Sequence, residues 1–153
     1  MTSEPDISVF RPDRPGIRKV LGDLEAEIME LVWSRPEGSG TTVRDVFEIL
    51  YERRLSAERR RIAYTTVMNT MTRLAKKRLL RVEKQDQAYV YYPNFTQQEF
   101  VSRFVERILA DLFVNFSGAT LASLGKLPDQ EAAAQAYELL DELTRRRALE
   151  EKE

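Results

Sequence analysis

Short polar side chains and cations share one side of a segment between residues 64 and 77. Hydroxyl and amide groups come first and cations follow: Thr65, Thr66, Asn69, Thr72, Arg73 and Lys76, with Lys77 next in the chain. A threonine hydroxyl can donate to or accept from a base edge, and asparagine suits N6 and N7 of adenine. A merely solvated helix face would carry longer side chains such as Glu and Lys, which are better helix formers. The first three residues therefore predict base contacts in duplex DNA, and the three cations predict phosphate contacts.

The composition excludes several kinds of catalytic and metal site. The 153 residues include no cysteine and no histidine, which removes disulfides, thiolate sites, Ser-His-Asp catalysis and His-ligated metals. No glycine-rich phosphate-binding motif is present, and no pair of acids indicates a carboxylate-based hydrolase. We therefore expect that the protein is not an enzyme and that it binds no cofactor and no metal. Because the sequence lacks a membrane-spanning run and a signal peptide, we also expect a cytoplasmic protein.

Charge is distributed unevenly along the chain. From Tyr51 to Lys84 there are 11 basic and 3 acidic residues, whereas Pro128 to Glu153 contains 8 acidic and 4 basic residues. A basic middle followed by an acidic end predicts a polyanion-binding unit and a second unit with another role. The segment from Arg53 to Arg61, interpreted as a linker, contains five arginines. Two interpretations of these arginines stay open, namely added phosphate contacts or simple solvation.

The elements around the polar face predict a mainly α fold with a small β-wing. Apolar periodicity predicts a helix over about 23–34, another from Thr42 and a third over 64–77, and a short strand is expected near Thr41. Thr42 and Asp45 resemble a capping box at the start of the second helix. Alternation from Arg81 to Pro93 predicts a hairpin. This order is that of a winged helix-turn-helix, in which the third helix enters the major groove. On the wing, Lys84 and Gln87 are the predicted phosphate contacts.

We expect three segments: a flexible N-terminal arm over 1–20, a DNA-binding domain over 21–94 and a helical dimerisation domain over 95–149. In the last, Thr96 and Glu99 predict a helix start, and two apolar stripes run to a break at Ser117–Gly118. Pairing of two copies would bury both stripes and match a palindromic site, while an intramolecular three-helix core is the alternative. The predicted interface residues are Phe100, Phe104, Ile108, Leu112, Phe116, Leu121, Leu124, Leu140 and Leu143.

Four segments carry a resemblance to a known family. They are LGDLEAEIMELVW (21–33), TTVRDVFEIL (41–50), AYTTVMNTMTRLAKKRLL (63–80) and AYVYYP (88–93). These segments resemble the penicillinase-repressor family, which includes the methicillin-resistance repressors and the copper-operon repressors. The resemblance implies a homodimeric winged-helix repressor that binds a palindromic operator. It also implies that Thr65, Thr66, Asn69 and Arg73 face the DNA.

The sequence departs from the family pattern in its C-terminal half. The copper branch carries Cys-x-Cys elements, so the absence of cysteine excludes thiolate copper sensing here. In the antibiotic-sensing branch, a membrane-linked sensor protease cuts an Asn–Phe bond. The resemblance therefore makes Asn115–Phe116 a candidate cleavage site and such a protease a candidate partner. Alignment of the Ser117–Gly118 break instead puts the family's cut near Gly125–Lys126, which leaves Phe116 in the dimer core as the alternative.

A protein-interaction module is the alternative function. Winged helices also dock on proteins, and the basic face would then meet an acidic partner. Sequence-specific binding to a palindromic duplex separates the two functions.

Overall fold

The computed structural model describes residues 4–126 and 130–151, which form two compact units that divide between Val101 and Ser102. The helices are α1 (Asp23–Ser34), α2 (Val43–Ser56), α3 (Tyr64–Lys76), α4 (Gln97–Asn115), α5 (Ser117–Leu124) and α6 (Gln130–Glu151). The strands β1 (Leu80–Gln85) and β2 (Ala88–Pro93) form one antiparallel hairpin. The predicted class, a mainly α winged helix, is confirmed. The N-terminal unit extends past the boundary expected at residue 94.

The core of the N-terminal unit lies between α1, α2, α3 and the hairpin. Its fully buried side chains repeat at helical spacing, since each helix turns one apolar face inward. They include Ile28, Met29, Val46, Leu50, Val67, Met71, Leu74, Leu79 and Leu80. Phe100 of α4 completes this core and lies 5.7 Å from Trp33, measured between ring centroids. The Trp33 indole N–H donates to the Phe95 carbonyl at 2.9 Å, so the start of α4 belongs to this unit.

Side chains cap the starts of the first two helices. The Glu25 carboxylate accepts the Gly22 N–H at 3.0 Å at the start of α1. At the start of α2, Thr42 Oγ1 accepts the Asp45 N–H and Asp45 accepts the Thr42 N–H, both at 3.1 Å. These bonds satisfy N–H groups that have no partner inside the helix. The predicted Thr42–Asp45 capping box is confirmed.

A left-handed residue that is not glycine follows the C-terminal end of both α2 and α3. Glu58 has φ 53°, and the Arg59 N–H returns to the Arg54 carbonyl at 2.8 Å. Arg78 has φ 65°, and the Leu79 N–H returns to the Leu74 carbonyl at 3.1 Å. This pattern is the Schellman motif, which satisfies the last carbonyl groups of a helix. The predicted linker from Arg53 is therefore shorter, because α2 continues to Ser56.

The wing has a two-residue turn and a defined register. Lys84 pairs with Tyr89 and Gln85 with Ala88, and Asp86 takes φ 56° in the turn. Thr41 forms a single bridge to Tyr91 through backbone hydrogen bonds of 3.0 and 2.8 Å, which is the extent of the short strand expected there. A Cβ on Gly40 would lie 2.1 Å from Val90 Cγ1. Glycine is therefore required for this close approach of the α1–α2 loop to the wing.

The N-terminal segment differs from the flexible arm that we expected. Its Ile17 and Val20 side chains are buried, and residues Gly16–Lys19 form a 3-10 turn. The Asp6 N–H donates to the Lys77 carbonyl at 2.8 Å, and Arg78 Nε donates to the Glu4 carbonyl at 2.7 Å. Arg14 and Arg18 form ion pairs with Asp23. Burial of these apolar side chains together with the polar bonds attaches the segment to the domain.

The C-terminal unit contains most of α4, together with α5 and α6. Helix α4 ends at Asn115 and α5 begins at Ser117, so the break lies at Phe116, and Ser117 and Gly118 start the next helix. Thr120 Oγ1 donates to the Leu112 carbonyl at 3.1 Å across this break. Along the described ranges, no helix combines the length and the apolar character needed to cross a bilayer.

The predicted dimer residues fall into four groups. Phe100 and Phe104 are buried within the single chain, so the structure removes them from a surface that a second copy could cover. Ile108 and Leu124 are half-buried, while Leu112, Leu121 and Phe116 are exposed. The side chains of Leu140 and Leu143 lie outside the described part of the chain. Among the described side chains, the candidate interface is therefore limited to the second half of α4 and to α5, and the roles of Leu140 and Leu143 stay predictions.

Candidate nucleic-acid interface

Helix α3 turns its polar side chains to solvent and its apolar ones to the core. Thr65, Thr66 and Asn69 are exposed, as predicted for side chains that contact another molecule. Thr70 is buried, and its Oγ1 donates to the Thr66 carbonyl at 2.7 Å. The helix therefore separates its threonines by face, since the buried hydroxyl finds its partner inside the helix. The exposed hydroxyls of Thr65 and Thr66 remain available to a ligand.

A groove separates α3 from the wing. Its volume is about 600 Å³, and its lining includes Tyr64, Met68, Thr72, Val82, Gln87 and Tyr89. Met68 is 40% exposed and Tyr89 is 59% exposed. Sequence reasoning missed these apolar members. The signal for Met68 was its spacing, because it lies one turn from Thr65 and Thr72 on the same side of the helix.

Cations continue the exposed face of α3 toward its end and onto the wing. Arg73 and Lys76 are exposed on the helix. On the hairpin, Lys84 of β1 and Gln87 of the turn are both exposed. Arg81 differs, because its guanidinium lies 4.8 Å from the centroid of the Tyr92 ring and also bonds Glu83. Some cations on α3 and the wing are thus exposed without a partner among the described residues, whereas others are bound to groups of the same unit.

The sequence matches the penicillinase repressor family over residues 21–150. The chain belongs to this family. Two relatives from Mycobacterium tuberculosis, strains CDC 1551 and H37Rv, bear the name transcriptional regulator BlaI. Each is 38% identical to the chain over 133 residues, which cover 87% of the chain and 85% of the relative. The resemblance inferred from the sequence is confirmed, and the chain is a transcriptional repressor.

Lys77 of this repressor differs from the phosphate contact that we predicted. Its ammonium lies 2.8 Å from Glu25 Oε2, and its side chain is only 24% exposed. Arg73 Nε lies 3.6 Å from the same oxygen but keeps most of its side chain in solvent. Lys77 thus joins the end of α3 to the start of α1. The aliphatic part and the charge of this side chain stabilise the fold, so Lys77 is not among the DNA contacts that we propose.

Glu25 is the partner of Lys77, and the sequence did not predict this pairing. Burial opposes its ionisation and is the largest single influence on its pKa. The hydrogen bonds from Lys77 and the Gly22 N–H, with the charges of Lys77 and Arg73, act in the other direction and hold the pKa of Glu25 below its ordinary value. The carboxylate therefore stays ionised at neutral pH and fixes α3 against α1. A glutamate at the third position of a helix predicts a cap, but not a partner 52 residues away.

The candidate cleavage site of this repressor lies between two helices. Asn115 is the last residue of α4, and Phe116 is 63% exposed at the break before α5. Gly125 and Lys126 form the turn after α5. Both peptide segments thus lie at helix ends, where backbone opens more easily than inside a helix. Cleavage at either segment, and a sensor protease as partner, stay predictions.

Proposed function

We propose that this repressor acts as a homodimer whose two winged helices bind the half-sites of a palindromic duplex operator. The observation that carries the proposal is the division of α3 into a fully buried apolar face and an exposed face of short polar groups followed by cations. Such a helix can enter the major groove, which is wide enough to admit it. Membership of a repressor family supports the same function.

Each exposed group has a proposed role. Thr65, Thr66 and Asn69 lie at the start of α3, where a recognition helix meets base edges, and we assign them base contacts. The phosphate contacts that we assign are made by Arg73 and Lys76 on the helix and by Lys84 and Gln87 on the wing. The DNA-binding domain then runs from residue 21 to about residue 101, because Phe100 is part of its core.

Apolar exposure in the C-terminal unit supports the proposed dimer. An apolar groove there is lined by Leu109, Leu112, Phe116, Ala119, Thr120, Ser123 and Leu124. Leu112, Phe116 and Leu121 leave large apolar surfaces in solvent. Burial of such surface stabilises an interface by about 25 cal/mol per Å². A two-fold pair formed through this surface would present two α3 helices to a palindromic site.

Selection of bound duplexes from a random pool tests the proposed function. We expect a palindromic consensus whose half-sites lie about one helical turn apart, or a multiple of it. Affinity for the selected duplex should fall by roughly 10³–10⁵ between about 50 and 200 mM salt if about 6–10 phosphates are contacted. No enrichment of any sequence, together with a nearly flat salt dependence, would contradict the proposal and favour docking on an acidic protein.

A further inference from the structure

Four arginines surround the connection between α2 and α3. They are Arg53, at the end of α2, and Arg59, Arg60 and Arg61, in the loop. All four side chains are exposed, and within the described ranges none of these side chains forms an ion pair or a hydrogen bond. Arg54 and Lys77 of the same unit differ from them, because Arg54 lies 2.9 Å from Glu27 and Lys77 lies 2.8 Å from Glu25. The paired cations therefore stabilise the fold, whereas these four arginines have no partner among the described residues.

The loop that carries three of them is anchored at both ends. At its start, Arg54 is held by the ion pair with Glu27, and the Arg54 carbonyl accepts the Arg59 N–H at 2.8 Å. At its end, the Ala63 carbonyl accepts the Thr66 N–H at 3.1 Å as α3 begins. The half-buried Ile62 lies between these anchors. Because the backbone is already ordered, the arginines lose less entropy when they bind a partner.

The position of the loop identifies its partner. Arg61 precedes Tyr64, the first residue of α3, by three residues. A recognition helix presents its N-terminal residues to base edges, so the chain just before it must pass the rim of the groove. That rim is formed by phosphates, the groups that arginine binds in a bidentate way. Glu52 and Glu58 are the nearby acids, which leaves an excess of positive charge.

We propose that Arg59, Arg60 and Arg61 bind DNA phosphates that flank the bases read by α3, with Arg53 adding to the positive field. This inference rests on the proposed function. The loop extends the footprint of each winged helix and adds no base contact. It therefore raises the affinity for every duplex sequence by a similar factor and accounts for part of the salt dependence.

The test compares two triple variants of the full chain that remove the same charge. In the first, Arg59, Arg60 and Arg61 are replaced by Gln; in the control, Arg107, Arg145 and Arg146 of the C-terminal unit are replaced by Gln. Fluorescence anisotropy with a labelled selected duplex and with a random-sequence duplex gives the affinity at several salt concentrations. Removal of one cation that neutralises a phosphate should lower the slope of log K against log salt by about 0.9.

For the loop variant we expect the slope of log K against log salt to be lower by at least about 2 and the affinity for both duplexes to fall by a similar factor. Its melting temperature should equal that of the wild type, since the replaced side chains have no partner in the fold. The control should keep the wild-type slope. Replacement of the three loop arginines by Lys should also keep most of the slope, because lysine still neutralises phosphate. Hydroxyl-radical footprints should show that the loop Gln variant no longer protects the backbone outside the half-site bases.

Three results would overturn the inference. The first is a loop variant whose salt slope and footprint match those of the control while the wild type still binds the selected duplex. This result would leave the proposed function intact. The second is a loss of preference for the selected duplex, which would mean that the loop reads bases. A wild type that prefers no duplex is the third, and it would overturn the proposed function as well.

Discussion

Two exposed residues one turn apart on α3, Asn69 and Arg73, have different proposed roles. Asn69→Ala should remove discrimination at one base pair by about 1–3 kcal/mol, because it removes a donor and an acceptor for a base edge. Arg73→Ala should weaken binding to all duplexes alike, as expected for a phosphate contact. Affinities for the selected duplex and its single-base variants provide the measurement. An unchanged preference in Asn69→Ala would mean that α3 does not enter the groove in the proposed orientation.

Glu25 makes the stability of the N-terminal unit depend on pH. Its pKa is lower in the folded protein than in the unfolded chain, so its stabilising effect is fully present above the ordinary glutamate pKa of 4.5. This stabilisation is lost as the pH falls through the lower folded value. Glu25→Gln should therefore cost about 1–3 kcal/mol at neutral pH and progressively less in acid. Urea denaturation at several pH values, followed by circular dichroism, measures the difference.

The matched control for Glu25→Gln is Glu30→Gln. Glu30 is on the same helix, and its half-exposed carboxylate lies 3.5 Å from Arg18. Exposed ion pairs contribute about 1 kcal/mol or less, so this variant should change stability little at any pH. If the Glu25→Gln deficit were as large in acid as at neutral pH, a packing defect would explain it and the ion pair with Lys77 would not.

At the scale of the element, the ends of α2 and α3 show how backbone conformation limits stability. Glu58 takes φ 53°, a conformation that costs an L-residue roughly 1–2 kcal/mol and that glycine adopts freely. Glu58→Gly should therefore raise the free energy of unfolding by about 1 kcal/mol, less the entropy that glycine adds to the unfolded chain. Thermal denaturation of the full chain provides the measurement.

A second glycine variant controls for the missing side chain and charge. Glu52 is an exposed glutamate inside α2, where Glu52→Gly should lower stability by about 0.5–1 kcal/mol. Opposite signs for the two variants would follow only from their different backbone conformations. A loss of stability in Glu58→Gly as large as that in Glu52→Gly would contradict the assignment of the Schellman motif.

At the scale of the whole molecule, the border between the units decides which fragment can fold. A fragment 1–101 keeps Phe95 and Phe100, whereas a fragment ending at Pro93 lacks both of these core residues. Loss of a buried phenylalanine side chain costs about 3–5 kcal/mol, so the shorter fragment should be unfolded. Circular dichroism of the two fragments distinguishes them.

The longer fragment also tests how the two copies cooperate. Once one winged helix is bound, binding of its linked partner is nearly intramolecular and gains about 10²–10⁴ in affinity. Fragment 1–101 should therefore be a monomer and bind the selected palindrome at least about 100-fold more weakly than the full chain. Analytical ultracentrifugation and titration of both proteins give the answer. A monomeric full chain, or a fragment that binds equally well, would contradict the proposed dimer.

Local signals in the sequence predicted most of the N-terminal unit. Helical periodicity predicted α1 and α3, and the Thr42–Asp45 pattern predicted the start of α2. The docking of residues 4–20, the partner of Lys77 and the burial of Phe100 were missed, because each depends on contacts between residues distant in sequence. A stripe of apolar residues on α4 indicates burial but does not indicate which surface covers it.

Trp33 gives the protein a built-in optical reporter of its N-terminal unit. It is the only tryptophan in the sequence, its indole N–H bonds the Phe95 carbonyl, and its ring packs beside Phe100. The aromatic residues from 102 onward are phenylalanine and tyrosine, so light that excites indole alone yields no emission from the C-terminal unit. A small molecule that shifts this emission changes the surroundings of Trp33 in the N-terminal unit. A small molecule that leaves the emission unchanged leaves the contacts of Trp33 with Phe95 and Phe100 in place.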